Sequence, residues 1–359
     1  MDSLTQAALG AAVGEAVLGR RVGNKAPLWG AAFGTLPDLD VLANVFLDPV
    51  GELQFHRGLS HSFFFAAVTA PLFGWLLARW HRDDAVPARG WACLVFAAFV
   101  THALIDACTT YGTQLFQPFS DYPVSFNTIF IIDPLYTLPL LIGVGWALIA
   151  SRTRGLGHRA NTVGLVLSTA YLLCTVAAKA ITWPAFERAL AEQGIRVERM
   201  MTTPTPLNAL LWTAIADDGE ALWVGLRSVL DDGPEVRFRR IPRHADRLAP
   251  LQDQRAVRVL LWFSRGYFTV SETGEGLVFH DLRFGRSDAW LTDRGAYIFN
   301  FRLRPRPDPT RPPDDQWTFE QAIPSFDARS AVLGRLWRRM WGDRAAEGAA
   351  GTSGAAGDR

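Results

Sequence analysis

Imidazole and carboxylate side chains recur within or beside the apolar runs of the first half of this chain. They are Asp38 and Asp40, His56 and His61, His102 and Asp106, and Asp133. A polar group in an apolar segment is costly and needs a reason to be there. His102 and Asp106 are four apart, so on a helix they share one face, an arrangement suited to two ligands of one cation. His56 and His61 bracket Arg57-Gly58-Leu59-Ser60 at a loop-to-helix junction that can aim both rings inward. Asp38 and Asp40 would diverge on a regular helix, but Pro37 introduces a break at which both carboxylates could converge.

Neutral imidazole with carboxylate suits a divalent metal, zinc first, with manganese and iron as alternatives. Four to six such donors could hold one metal or two. A metal with an open position makes water nucleophilic near neutral pH and offsets charge on an ester or phosphoryl oxygen. The expected ligands are His56, His61, His102 and Asp106, joined by Asp38 and Asp40; Asp40 or Asp133 would then serve as catalytic general base. Singly, each motif has a plainer explanation: His102–Asp106 as a hydrogen-bonded pair, Asp38-Leu39-Asp40 as a helix cap. Their combination points to metal. His81, His158, His244 and His280 stand apart and read as structural, and Glu15 fits either a packing or an accessory role.

These residues must be positioned by helices. Apolar runs at Phe63–Ala78, Trp91–Cys108, Ile129–Ala150 and Thr162–Ile181 reach or approach the roughly 20 residues that cross a bilayer. Leu4–Leu18 is rich in small residues that favour close helix packing in lipid, and Pro27–Leu47 is interrupted at Pro37. The start, Met1-Asp2-Ser3-Leu4-Thr5-Gln6, lacks the positive region of a secretory signal, so the first run reads as a retained helix. The expectation is an all-α membrane bundle of about six helices over 1–183, the first two re-entrant or half-inserted.

Loop charge gives an independent check. Nine basic residues fall in the gaps 19–26, 79–90 and 151–160, among them Arg152 and Arg154, whereas 48–62 and 109–128 hold only Arg57. Positive loops stay cytoplasmic. The two gaps poor in basic residues therefore share the outer side, which brings His56, His61, the end of the fourth helix and the start of the fifth to one membrane face. The chain's mean hydropathy of +0.09 averages this apolar half with a charged, Arg-rich second half. A net charge of +1 gives no global field for nucleic acid. Cys93, Cys108 and Cys174 form no C-x-x-C pair and read as small buried residues.

From 184 the pattern changes to an extramembrane α+β domain over 184–340, with a tail over 341–359 that is Gly/Ala/Ser-rich and disordered. Glu187–Gln193 continues as a short helix. Strand-like runs follow at Asn208–Ala216, Ala221–Val229, Val236–Ile241, Tyr267–Ser271, Gly276–Phe284 and Ala296–Arg302. Their turns include Asp231-Asp232-Gly233-Pro234 and Thr273-Gly274-Glu275-Gly276, and Arg304–Asp315 reads as irregular.

The motifs together resemble the bacterial inner-membrane-associated, metal-dependent hydrolase family typified by YdjM. The resemblance rests on Met1–Gly10, on Leu36-Pro37-Asp38-Leu39-Asp40 and on His56-Arg57-Gly58-Leu59-Ser60-His61-Ser62. It continues through His102-Ala103-Leu104-Ile105-Asp106 with Thr109–Thr113, and Ile132-Asp133-Pro134-Leu135-Tyr136, so it covers about residues 1–140. Pro204–Asn208 and Asp281-Leu282-Arg283-Phe284-Gly285 match longer members and carry no chemistry of their own. The resemblance implies a bacterial inner-membrane location and metal-dependent hydrolysis. A fainter similarity to zinc-dependent phospholipase C proteins implies a phosphodiester or lipid head group as substrate.

The expected function is hydrolysis of an ester or phosphodiester, small or lipid-linked, with membrane lipids as partners. Two rivals use the same residues differently: an ion pathway or structural metal site, or a scaffold whose C-terminal domain binds a partner. By loop charge, a topology reporter fused after Trp183 should read extracytoplasmic; a cytoplasmic signal would invert the assigned sidedness.

Overall fold

A computed structural model of the chain describes residues 1–150, 155–233, 235–274, 276–292, 295–322 and 329–348. Arg152, Arg154, Pro234, Glu275 and the tail beyond Gly348 lie outside the described residues. The chain divides into two compact units, Met1–Ala177 with Pro206–Ala209, and Ala178–Thr205 with Leu210–Arg359.

The first unit is helical. Helix α1 (Ser3–Val22) starts where the Asp2 carboxylate accepts the Thr5 N–H at 3.0 Å, and it ends at Gly23 with φ +63°. Helix α2 (Lys25–Thr35) crosses it glycine against glycine. A Cβ at Gly10 or Gly30 would overlap the other's carbonyl oxygen, and one at Gly34 would lie 2.8 Å from the Gly10 Cα. No side chain fits between these backbones, which is the close approach that small residues permit. At Leu36 the α-helix gives way to 3-10 turns over Leu36–Phe46, with Pro37 in the first turn. A short α3 (Pro49–Phe55) follows. The Ser62 hydroxyl then caps α4 (Phe63–Trp80) by accepting the Phe65 N–H at 3.0 Å.

Helix α5 (Ala88–Ala107) buries Trp91, Leu94, Val95, Ala98 and Phe99 against α1, α2 and α4. Helix α6 (Pro134–Ile149) is capped by the Asp133 carboxylate and has Pro134 at its first position, where the missing N–H costs nothing. Its Tyr136, Leu140 and Val144 join Leu9, Ala12 and Val13 of α1 in a second cluster. Helix α7 (Leu156–Glu192) is 37 residues long.

Among the described residues, α4, α5 and α7 are long and apolar enough to cross a membrane, and α6 is apolar but shorter. Their outer faces carry exposed Leu72, Trp75, Ile142, Trp146, Val166 and Leu173. The expected six-helix count goes further than these helices do. The second segment is broken at Leu36–Pro37, and α1 encloses buried Gln6 and Glu15.

The second unit contains two four-stranded antiparallel sheets. One is ordered β1 (Arg199–Pro204), β2 (Leu211–Asp217), β3 (Ala221–Ser228), β4 (Arg239–Pro242). The other is β5 (Phe268–Thr273), β6 (Gly276–Arg286), β7 (Tyr297–Pro305), β8 (Trp317–Ala322). Helices α8 (Arg255–Ser264) and α9 (Arg329–Met340) complete it. β1, β8 and both helices lie outside the segments read from sequence, because their apolar residues are few or their pattern is mixed with arginine. The Asp281-Leu282-Arg283 motif is a buried ion pair in β6: Arg283 Nη2 donates to Asp281 Oδ2 at 2.6 Å, under the ring of Phe263.

Two predictions follow from this packing. Gly30→Ala should lower the thermal unfolding midpoint of the detergent-purified protein, because overpacking against a backbone costs about 1–3 kcal/mol; an unchanged midpoint would refute the crossing. Asp217, at the end of β2, is pushed up by burial but held lower overall by hydrogen bonds from Arg243, Gly219 and Arg199. Its carboxylate therefore stabilises the fold above the unfolded aspartate value of about 3.9. That contribution fades as pH falls through the lower folded value. Asp217→Asn should flatten the loss of stability on the acid side, read as thermal midpoint against pH.

Candidate metal centre

The break after α2 and the end of α5 bring four side chains together: Asp38, His61, His102 and Asp106. One donor atom from each lies within 4.8 Å of all the others. His61 Nε2 is 3.4 Å from Asp106 Oδ2 and 3.5 Å from Asp38 Oδ1. His102 Nε2 is 3.6 Å from Asp106 Oδ2 and 3.5 Å from Asp38 Oδ1. Donors about 2.0–2.2 Å from a tetrahedral metal are separated by roughly 3.3–3.6 Å, so all four imidazole–carboxylate edges match such a shell.

Hydrogen bonding provides the test of fit. His61 Nε2, His102 Nε2 and Asp106 Oδ2 are buried and have no hydrogen-bond partner. An unsatisfied buried polar atom costs about 1–3 kcal/mol, and here three of them face one point together with an oxygen of Asp38. Two imidazoles and two carboxylates form a donor set suited to a divalent cation, with Arg57 and the Met1 amine on the outer side of Asp106. The donor set fits, and these four residues could hold a metal ion.

The surrounding atoms orient the donors. His102 Nδ1 lies 2.7 Å from the Gly34 carbonyl oxygen. A carbonyl only accepts, so Nδ1 carries the proton and Nε2 turns a lone pair to the cluster. His61 Nδ1 is 2.9 Å from Ser60 Oγ, whose hydroxyl faces Asp40 Oδ2 at 3.4 Å. Carboxylate support behind a ligating imidazole is the usual second layer of a metal site.

Asp40 and His56 are placed in that layer rather than among the four. In 3-10 turns Asp38 and Asp40 still diverge, and they grip opposite edges of the His61 ring. Asp38 approaches Nε2, while Asp40 Oδ2 is 3.6 Å from Nδ1. Asp40 also accepts His56 Nδ1–H at 2.9 Å and the Arg57 N–H at 2.9 Å. Asp133 is elsewhere. It caps α6 through the Leu135 N–H at 3.1 Å and accepts the Tyr171 hydroxyl at 2.7 Å.

Several participants escape a reading of ligand types. Arg57, buried with a left-handed backbone (φ +55°), places Nε 3.4 Å from Asp106 Oδ2. It donates to Thr109 Oγ1 at 3.0 Å and stacks on Tyr111. Its one sequence signal is that it is the sole Lys or Arg in the gaps 48–62 and 109–128. Gln6 donates from Nε2 to Asp106 Oδ1 at 3.0 Å, and the Met1 amine contacts the same oxygen. Glu15 lies apart from this cluster, paired with His158 at 3.7 Å.

These positions separate ligands from supports. His61→Ala and Asp106→Ala should each abolish stoichiometric metal, measured by elemental analysis of purified protein. Asp40→Asn and Ser60→Ala should weaken affinity about 10–100-fold, and Asp133→Asn should leave it unchanged. Equal metal content across all five variants would refute the assignment.

Comparison with known proteins gives a consistent picture. The model of the family described as YdjM inner membrane protein matches residues 1–182, which include the whole cluster. The inner membrane protein YbcI of Escherichia coli (strain K12) is 35% identical over 94 residues, 26% of this chain and 53% of that protein. The chain thus spans about half the length of that curated relative. No solved structure matches. With half of its length matched and apolar helices able to cross a bilayer, the chain belongs to the YdjM inner membrane protein family.

Proposed function

We propose that this inner-membrane protein is a metal-dependent hydrolase of an ester or phosphodiester, small or lipid-linked. The observation that carries this reading is the convergence of unpaired His61 Nε2, His102 Nε2 and Asp106 Oδ2 with Asp38. Two imidazoles and two carboxylates favour zinc, with manganese and iron as alternatives. Bound there, such a cation supplies a Lewis acid that makes water nucleophilic near neutral pH and offsets charge on an ester or phosphoryl oxygen.

The chain's own groups do the rest. Gly34 and the Ser60–Asp40 pair hold the two imidazoles in the tautomer that turns Nε2 inward. The Arg57 guanidinium, beside Asp106, offsets negative charge that develops on a substrate oxygen. His56 is the base this arrangement favours over Asp40 and Asp133. Its side chain is 28% exposed, whereas His61 and His102 are fully enclosed, and Asp40 orients it through Nδ1. A proton taken at its Nε2 would leave an imidazolium stabilised by the Asp40 carboxylate. Asp38, with 22% exposure, marks the side from which substrate and solvent reach the cluster.

A second reading has one observation in its favour. Four protein donors close a tetrahedral shell, as structural sites do, whereas catalytic sites commonly keep three donors and an open position. Turnover separates the two. The holoprotein in nanodiscs should hydrolyse bis(p-nitrophenyl) phosphate or p-nitrophenyl esters, with loss of activity under chelation and recovery on zinc. His56→Ala should cut kcat by about 10²–10⁴-fold with metal content intact. A metal-loaded protein inert to both substrate classes would favour the structural or ion-pathway reading.

A further inference from the structure

The second unit contains an arginine-lined cleft remote in chemistry from the His/Asp cluster. A cavity of about 240 Å³ is bordered by Arg237, Arg239, Arg240, Arg286, Trp290 and Tyr297. An adjoining cavity of about 220 Å³ shares Leu226, Arg237, Arg239 and Glu347 with it and adds Arg339 and Arg344. Each is slightly smaller than the roughly 300–1,000 Å³ that holds a drug-sized molecule, and their shared residues make them one cleft.

The charge on this cleft is only partly cancelled. Arg339 pairs with Asp231 and Glu347, and Arg344 with Glu235 at 3.0 Å. Among the described residues, Arg240 is paired with the exposed Glu220 alone, at 3.9 Å. Arg237 and Arg286 have no carboxylate partner among the described residues, and Arg286 Nε is buried without a hydrogen-bond partner. Like charges gathered around one cavity repel each other, so their placement needs a compensating anion.

The wall that holds Arg286 is built with backbone strain. Ala289 and Trp290 are both left-handed, at φ +53° and +65°, a conformation that disfavours a bulky residue such as tryptophan. The Asp288 carboxylate holds them there by accepting the Trp290 and Thr292 N–H groups at 3.2 and 2.9 Å. The β6–β7 register shifts between Asp281 and Arg286. The result places the Arg286 guanidinium 5.5 Å from the Trp290 ring and 4.9 Å from the Tyr297 ring, fixing its plane. Strain and register breaks of this kind cluster where a side chain is aimed at a ligand.

The geometry points to a binding site for a phosphate-bearing anion in this cleft, with Arg237 and Arg286 as its principal donors. Guanidinium groups take phosphate oxygens through paired, charge-assisted hydrogen bonds, and a pre-aimed arginine loses little entropy in doing so. The anion is either a soluble phosphate compound or the head group of an anionic lipid.

The test uses the full chain in phosphatidylcholine nanodiscs with chelator present, which removes any metal-bound phosphate at the His/Asp cluster. Sodium pyrophosphate is titrated calorimetrically into the wild type, Arg237→Gln and the Arg237→Gln/Arg286→Gln pair. Binding should weaken by at least about ten-fold in the pair, as expected for loss of charge-assisted hydrogen bonds. Exposed Arg237 is replaced alone as well, because that change spares the fold and should still weaken binding. Loss of pyrophosphate binding when phosphatidylglycerol is added identifies a lipid head group as the occupant, and persistence identifies a soluble ligand. Absence of binding in phosphatidylcholine nanodiscs, or equal affinity in wild type and both variants, overturns the proposal.

Discussion

Two imidazole nitrogens and two carboxylate oxygens cannot share one buried pocket without a positive charge among them. His61 Nε2, His102 Nε2 and Asp106 Oδ2 have neither solvent nor hydrogen-bond donors to satisfy them. Arg57, 3.4 Å from Asp106 Oδ2, and the Met1 amine, in contact with Asp106 Oδ1, both lie on the Asp106 side of this region. A cation between the four donors would resolve the deficit, and the elements around them are arranged as if to place it there. The 3-10 turns deliver Asp38, the Gly58–Ser62 turn delivers His61, and one face of α5 delivers His102 and Asp106.

The glycine crossing of α1 and α2 belongs to the same construction. Gly34 must approach the Gly10 backbone closely, and its carbonyl then fixes the tautomer of His102. The same α1 carries Gln6 to Asp106. The residues that look like a small-residue packing stripe are thus tied to the orientation of two donors. Behind them, Asp40 serves three groups at once, which suits support of His61 and His56 better than direct ligation.

Much of this was legible in the sequence, for identifiable reasons. The spacing of His102 and Asp106 fixes a shared helix face whatever the tertiary packing. The gaps at 48–62 and 109–128, poor in basic residues, place His61 near the end of α5, and the structure sets His61 Nε2 3.4 Å from Asp106 Oδ2. What spacing could not resolve was the division of labour between Asp38 and Asp40. Residues two apart separate differently in 3-10 and α-helical turns, and only the local backbone decides which one faces the donors. Asp133 was attractive as a spare carboxylate beside an apolar run, yet Pro134 after it is the signature of a helix start, and the structure shows it capping α6. In the second unit, β8 (Trp317–Ala322) was hidden because it is short and half polar, α9 because its apolar residues are interleaved with arginines, and the arginine cleft arises from residues far apart in sequence.

The central claim is that four named side chains enclose one metal. X-ray absorption at the metal edge of the purified, metal-loaded protein measures that shell directly. The account predicts one metal per chain, with nitrogen and oxygen scatterers at about 2.0–2.2 Å and the outer-shell pattern of two imidazoles. That pattern should fall to one imidazole in His102→Ala. A sulfur-containing shell, an all-oxygen shell, or no stoichiometric metal would contradict it.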